Sequence, residues 1–417
     1  MATVRSRHAL HRPSLLALCF STTMALSPTA QFPYDPPAWT KGRLLYPPSH
    51  RLHLATLPTP LYRLESEHPL LDILHSIDAS LYIKSDDRSG GVELGGNKIR
   101  KLEFLLSDAL LEHCSVVTIG GLQSNHCRAT AAAARMVGLE PHLILRTRQQ
   151  QEIGAVGNVL VDRLVGASIY TCTPGEYGRL GSQELVARVC QNLRDQGRKP
   201  YPIPVGGSNG LGTWGYVQGV DELLEQWPSE KTLDHVVFAC GSGGTAAGIT
   251  LGMALAHDDK SPTIHAVGVC DDPDYFYRTV AGIADEMGVS LPDDASTESF
   301  IRDHMNVLQG KGKGYAVSTP EELEFCARFA RATGVVLDPV YSGKALYNFY
   351  LLVKEDPEAF RGQNIVFWHT GGALGMYDKV DALDPFLRDQ SPCQRLDVYG
   401  KGIGLDISES TTKDGDV

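Results

Sequence analysis

The sequence predicts an α/β protein built as two three-layer αβα domains with mainly parallel sheets. Three observations carry this. From about residue 78, short apolar strand candidates alternate with stretches of helical period. Glycine pairs or clusters close several of those strands, at 120–121, 206–207, 241–244 and 371–372. Of 417 residues, 42 are glycine, above the usual ~7% and suited to tight βα turns and loops that approach a ligand closely.

The elements follow in order. Leu81-Tyr82-Ile83-Lys84 is a short strand. Residues 97–111 carry Ile99, Leu102, Leu105, Leu106, Ala109 and Leu110, a helical spacing. Residues 115–119 form a buried strand, and 126–137 an alanine-rich helix closed by Gly138. Further strands are expected at 141–145, 168–171, 201–205, 235–239, 264–269 and 364–368. Further helices are expected at 156–165, 185–196, 215–226, 245–257, 321–333 and 344–354. Strand, glycine loop and helix in repetition imply parallel sheets covered on both faces. Ligands then bind beyond the carboxyl ends of the strands. The smaller domain is expected over 100–215 and the larger over 40–99 together with 216–400.

Composition narrows the function. The hydrophobic fraction of 42% and charged fraction of 21% are those of a globular chain. With 38 basic and 49 acidic residues the net charge is -11, which argues against nucleic acid or an anionic membrane as partner. No apolar run reaches the ~18 residues of a membrane span. The nine cysteines are scattered and form no CxxC, so free thiols are expected rather than a disulfide framework or a metal site. The first acidic residue is Asp35. Before it, Arg5, Arg7 and Arg12 lie among serines and threonines, the composition of an organellar transit peptide. Residues 1–35 are expected to be that peptide, or a disordered tail, with the mitochondrion ahead of the plastid as destination. Residues 401–417 read as a flexible tail.

Three segments carry chemistry. Cys240-Gly241-Ser242-Gly243-Gly244-Thr245 follows a strand and opens a helix. Backbone N–H groups freed by glycine, the hydroxyls of Ser242 and Thr245, and the helix dipole suit a phosphate. A βα turn without ligand is the plainer reading. Gly120-Gly121-Leu122-Gln123-Ser124-Asn125-His126 also joins strand to helix, and its N–H groups suit a carboxylate. There, Ser124 or Asn125 alternatively serves only as an N-cap. Gly95-Gly96-Asn97-Lys98-Ile99-Arg100-Lys101 places Lys98 at a helix start, where the dipole and the neighbouring cations lower its pKa. A neutral amine forms an imine with an aldehyde; a solvated surface lysine is the ordinary alternative. Together the three segments are what pyridoxal phosphate and an amino acid need.

These residues resemble a known family. Gly95-Gly96-Asn97-Lys98-Ile99-Arg100-Lys101-Leu102-Glu103-Phe104, Gly120-Gly121-Leu122-Gln123-Ser124-Asn125-His126-Cys127-Arg128, Leu337-Asp338-Pro339-Val340-Tyr341-Ser342-Gly343-Lys344 and His369-Thr370-Gly371-Gly372 look like four motifs of the D-cysteine desulfhydrase and 1-aminocyclopropane-1-carboxylate (ACC) deaminase family. The likeness covers about residues 50–385 and is nearest to plant D-cysteine desulfhydrases. It implies the tryptophan-synthase-β-like architecture, pyridoxal-phosphate fold type II, and a homodimer. It implies that Lys98 carries the cofactor and moves the α-proton. Gly241, Ser242, Gly243, Gly244 and Thr245 then hold the phosphate, and Asn125 the ring's phenolic oxygen. By the same likeness Ser124 meets the substrate carboxylate or relays protons, with Asn125 and His126 beside it. Tyr315 and Tyr341 match the active-site tyrosines, and Thr370 a residue near the ring.

Ser342 departs from the deaminases, which carry glutamate there. A serine leaves the ring nitrogen without a charged partner and the electron sink weaker. His126, where the deaminases have glutamine, points the same way, toward loss of a thiolate. Ser85-Asp86-Asp87-Arg88 lacks an arginine that the family often places before the paired acids. The reaction implied is α,β-elimination of D-cysteine to pyruvate, hydrogen sulfide and ammonia. ACC deamination to 2-oxobutanoate and ammonia is the alternative enzyme, and a non-catalytic pyridoxal-phosphate carrier the alternative outside enzymes.

Overall fold

The computed structural model describes residues 27–148, 152–257, 261–292 and 295–388, with the backbone of two short strands at Arg395–Leu396 and Ile403–Leu405. Of residues 1–35, expected to be a transit peptide or tail, only 27–35 are described, and of residues 401–417 only 403–405.

The strands, in chain order, are Phe32–Pro33 (β1), His50–Arg51 (β2), Leu61–Arg63 (β3), Ser80–Ser85 (β4), Ser115–Gly121 (β5), Glu140–Arg146 (β6), Ser168–Cys172 (β7), Pro200–Pro202 (β8), His235–Cys240 (β9), Thr263–Gly268 (β10), Asn306–Gln309 (β11) and Asn364–His369 (β12). The larger sheet runs β11-β10-β9-β12-β4-β3, and the smaller β7-β6-β5-β8. Every pairing in them is parallel except β3 with β4. Along β9, Val236 and Phe238 enter the core on one face, and Val237 and Ala239 the core on the other. That period of two, with both faces covered, makes the parallel strands near-continuous apolar runs.

The principal helices are Pro69–Ser76 (α1), Lys98–Ala109 (α2), Asn125–Met136 (α3), Asn158–Leu164 (α4), Pro174–Asp195 (α5), Gly210–Gln226 (α6), Gly244–Ala256 (α7), Pro273–Glu286 (α8), Thr297–His304 (α9), Pro320–Thr333 (α10) and Ser342–Glu355 (α11). Two, α5 and α6, start five or more residues earlier than periodicity suggests. α5 opens at a capping box, Thr173 with Glu176, and bends at Gly181, whose φ is 80°. α6 opens on Asn209, whose side chain accepts from Gly212 N. Its glycines are not turn residues. A Cβ on Gly215 would collide with the Arg100 carbonyl of α2, and one on Gly219 would press on the Trp368 ring at 3.2 Å. Across α7, a Cβ on Gly252 would meet Val220 at 2.8 Å. Much of the glycine excess therefore serves close helix packing as well as loops. Sequence reading passed over α8 and α9, although Asp272 caps α8 and its buried residues Phe276, Val280, Ile283 and Ala284 keep helical spacing.

α2 is fixed by buried charge. Arg100 is fully buried and donates to Asp86 Oδ2 at 3.0 Å and Oδ1 at 2.8 Å. It also donates to Glu222 Oε2 at 3.1 Å and Oε1 at 2.8 Å. Buried Lys84 of β4 binds the same glutamate, and Thr59, Tyr216 and Trp368 complete the partners of Asp86. The Ser85–Arg88 departure thus still delivers Asp86 to a built site. Arg100→Met leaves two carboxylates without their main cation and should destabilise the fold by roughly 3–5 kcal/mol. Equilibrium denaturation of the variant beside the parent chain measures this.

Candidate active site

The carboxyl ends of both sheets open onto one cavity of about 220 Å³. β9 ends in Cys240, and the chain turns through Gly241, Ser242 and Gly243 into α7. Gly243 has φ 86°, which favours glycine, and a Cβ there would lie 2.8 Å from Thr279. Gly241, Ser242, Gly243 and Thr245 line the cavity. Gly244 does not, and its N–H donates to Ser208 Oγ at 3.1 Å. Ser208 Oγ also meets Ser242 Oγ at 2.8 Å and accepts from Lys101 Nζ at 3.1 Å. Lys101 is buried with its amine against this loop, and burial, then the nearby Lys98, push its pKa well down. A phosphate would meet glycine N–H groups and the hydroxyls of Ser242 and Thr245, with the Lys101 amine behind the loop.

Lys98 begins α2 and lines the cavity, donating to Asn97 Oδ1 at 2.8 Å. The Asn97 amide donates in turn to Thr245 Oγ1 at 3.1 Å. Burial first, and the Arg128 guanidinium second, lower the Lys98 pKa to about 8 against the pull of Asp338. The expected lowering is present, but its causes are burial and Arg128, not Arg100 and Lys101. Arg100 is neutralised by Asp86 and Glu222. Arg128 holds the carbonyls of Glu93 and Gly95 at 2.8 and 2.9 Å, which fixes the loop before Lys98.

Across the cavity, Ser124 is both a cap and a wall residue. Its Oγ accepts from Cys127 N at 3.1 Å, and it lines the cavity. Gly120 must lack a side chain because a Cβ would overlap Ser124. Asn125 accepts from Asn158 Nδ2 at 3.0 Å, so its own amide N–H groups are left to face a ligand oxygen. His126 is buried, and burial with Lys98 and Lys101 keeps its imidazole neutral. Thr118 Oγ1 donates to the Ile203 carbonyl at 3.0 Å, so His126 Nε2 donates to Thr118 at 2.9 Å. Tyr315 and Tyr341 hydroxyls lie 2.7 Å apart, and burial raises the pKa of both. Thr370 lines the cavity, and its carbonyl accepts from Asn97 N at 3.1 Å.

Ser342 is not brought to the wall. It is fully buried, donates to Asp338 Oδ1 at 2.7 Å and accepts from Asp338 N at 2.9 Å. Its hydroxyl is spent on the start of α11 rather than on a ring nitrogen. Sequence reading missed Lys101, Ser208, Arg128, Arg146, Tyr177 and Asp271. Arg146 carried a signal, since it stands at the carboxyl end of β6, beyond which ligands bind.

A partly neutral amine, an anion cradle and buried hydroxyls around one cavity are the parts of an enzyme that works through a phosphorylated aldehyde. The chain belongs to the pyridoxal-phosphate dependent enzyme family, whose model matches residues 52–371. It is 46% identical over 391 residues, 92% of this chain and 90% of the other, to a mitochondrial bifunctional D-cysteine desulfhydrase/1-aminocyclopropane-1-carboxylate deaminase of Arabidopsis thaliana. It is 36% identical over 335 residues, 78% of this chain and 97% of the other, to a putative 1-aminocyclopropane-1-carboxylate deaminase of Thermotoga maritima. The crystal structure of an ACC deaminase homologue matches with a TM-score of 0.68 at 32% identity, covering 84% of this chain and 98% of that one. The architecture is that of fold type II.

The lowered Lys98 pKa sets a pH dependence. The amine is protonated below about 8 and neutral above it, so the rate of covalent pyridoxal phosphate attachment to apoprotein should rise with a midpoint near 8 rather than near 10.5. Borohydride trapping across pH, with the labelled peptide weighed, measures both midpoint and residue.

Proposed function

We propose that the chain is a D-cysteine desulfhydrase, eliminating sulfide from D-cysteine to give pyruvate, hydrogen sulfide and ammonia. The observation that carries the reading is the Lys98 amine, with a pKa of about 8, sharing one cavity with Ser124, Tyr315 and Tyr341. Likeness to the bifunctional Arabidopsis protein supports it. Pyridoxal phosphate supplies the electron sink that makes the α-proton acidic.

The chain's own residues do the rest. Lys98 anchors the cofactor and then takes the α-proton, a task suited to an amine of pKa about 8. Gly241, Ser242, Gly243 and Thr245 seat the phosphate, with Lys101 behind them, and Asn125 donates to the ring's oxygen. Ser124 and the first N–H groups of α3 take the substrate carboxylate, with neutral His126 alongside. The Cβ–S bond breaks with its electron pair on sulfur. Tyr315 and Tyr341, kept protonated by burial, provide the proton that the sulfide takes. The enamine left after release takes up water to give pyruvate and ammonia.

ACC deamination is the second reading, favoured by the names of the relatives. Residue 342 presents no carboxylate to strengthen the electron sink, which favours a thiolate leaving group over a cyclopropane carbon. A mere carrier would need only lysine and cradle, not the tyrosine pair. The arginine-rich start of the chain and the mitochondrial relative support import into the mitochondrion. A homodimer is part of the same proposal.

Purified enzyme assayed separately with D-cysteine, L-cysteine and ACC should release sulfide and pyruvate in equal amounts from cysteine, fastest from the D-enantiomer. Faster release of 2-oxobutanoate from ACC would reverse the assignment, and no turnover of any would leave the carrier. Tyr341→Phe should cut kcat for D-cysteine roughly 10²-fold or more while the cofactor still binds.

A further inference from the structure

One cation on the cavity wall has no task in the reaction just described. Arg146 is the last residue of β6 and lines the cavity. Its guanidinium carbon lies 4.6 Å from the centroid of the Tyr177 ring and 5.5 Å from that of Tyr315. Among the described residues it makes no hydrogen bond or ion pair through its side chain; Asp271 shares the wall but does not pair with it. Aromatic faces hold a guanidinium in place and leave its in-plane N–H donors to an anion. The proposed phosphate loop already has a basic residue of its own in Lys101, whose amine binds Ser208 beneath Gly244.

An amino acid bound here has three groups to place. Its nitrogen goes to the Lys98 end, and its carboxylate suits the start of α3. The substituent on Cβ is left with the third wall, where Tyr315 meets Tyr341 and Arg146 lies over the Tyr315 ring.

We propose that Arg146 is a specificity-determining residue for a negatively charged group on Cβ, so that the site selects D-alanine derivatives whose β-substituent is an anion: the thiolate of D-cysteine, an S-sulfonate or a phosphate ester. This rests on the β-elimination reading above. With S-sulfo-D-cysteine, the α-proton passes to Lys98 and the Cβ–S bond breaks with its electron pair on sulfur. Thiosulfate leaves, and water converts the enamine to pyruvate and ammonia. No oxidant or reductant is needed.

The test compares holoenzyme with Arg146→Met and Arg146→Lys. The preference in kcat/KM for S-sulfo-D-cysteine over β-chloro-D-alanine should fall about tenfold or more in Arg146→Met, mainly through KM, and recover in part in Arg146→Lys. An unchanged ratio overturns the proposal: equal loss on both substrates would assign Arg146 to the shared α-carboxylate, and no loss on either to packing. A second measurement needs no turnover. Dissociation constants for D-aspartate and D-asparagine, read from the cofactor's absorbance, should favour the charged ligand by about tenfold in the parent enzyme and not in Arg146→Met. If no compound is eliminated but this preference holds, the reaction assignment fails and the Arg146 assignment stands. If the preference is absent, the Arg146 assignment fails.

Discussion

The buried ion network around Arg100 is the constraint on which the site depends. Asp86 follows β4, Arg100 sits on α2 and Glu222 on α6, so one guanidinium ties the larger sheet to two helices. Removing such charges from water costs several kcal/mol per ion, and the cost is met only if every partner is in place. Each is: the two carboxylates, Lys84, Thr59, Tyr216 and Trp368 satisfy one another. Lys98 lies two residues before Arg100 on the first turn of α2. The geometry that satisfies the network therefore also decides where the reactive amine stands.

The same turn of α2 meets a second requirement. α6 must approach closely enough for Glu222 to reach Arg100, and Gly215 and Gly219 permit that approach. α7 then lies against α6 through Gly248 and Gly252. Since α7 starts from the Gly241–Gly243 turn, the glycines that let three helices nest also fix that turn relative to the Lys98 amine. Packing and chemistry share residues here, and a methyl group in the wrong helix would be felt at the cavity.

How much of this was legible follows from where each signal lies in the chain. The parallel sheets were readable because strands such as β9 are apolar throughout and end in glycine. Lys98, Ser124 and the Gly241–Thr245 loop stood out because local backbone geometry dictates their neighbours. The ion network did not, since Arg100 and Glu222 are separated by 122 residues. The cause of the Lys98 pKa was misread for the same reason: chain neighbours Arg100 and Lys101 were counted, whereas burial and Arg128 do the lowering. Ser342 was read by its place in a motif, yet Asp338, four residues earlier, holds its hydroxyl. Gly210 and Gly212 fell outside the helix expected from residue 215, because glycine's meaning depends on what comes within reach of the missing Cβ.

Asn97 joins the two ends of the cavity in one side chain, its oxygen on Lys98 and its nitrogen on Thr245. It works as a caliper. With the cofactor held by Lys98 and Thr245 as proposed, the span between its point of attachment and its phosphoryl group would be gauged by a single carboxamide, and an aldehyde with a longer or shorter phosphorylated arm would have to break one of the two contacts to fit.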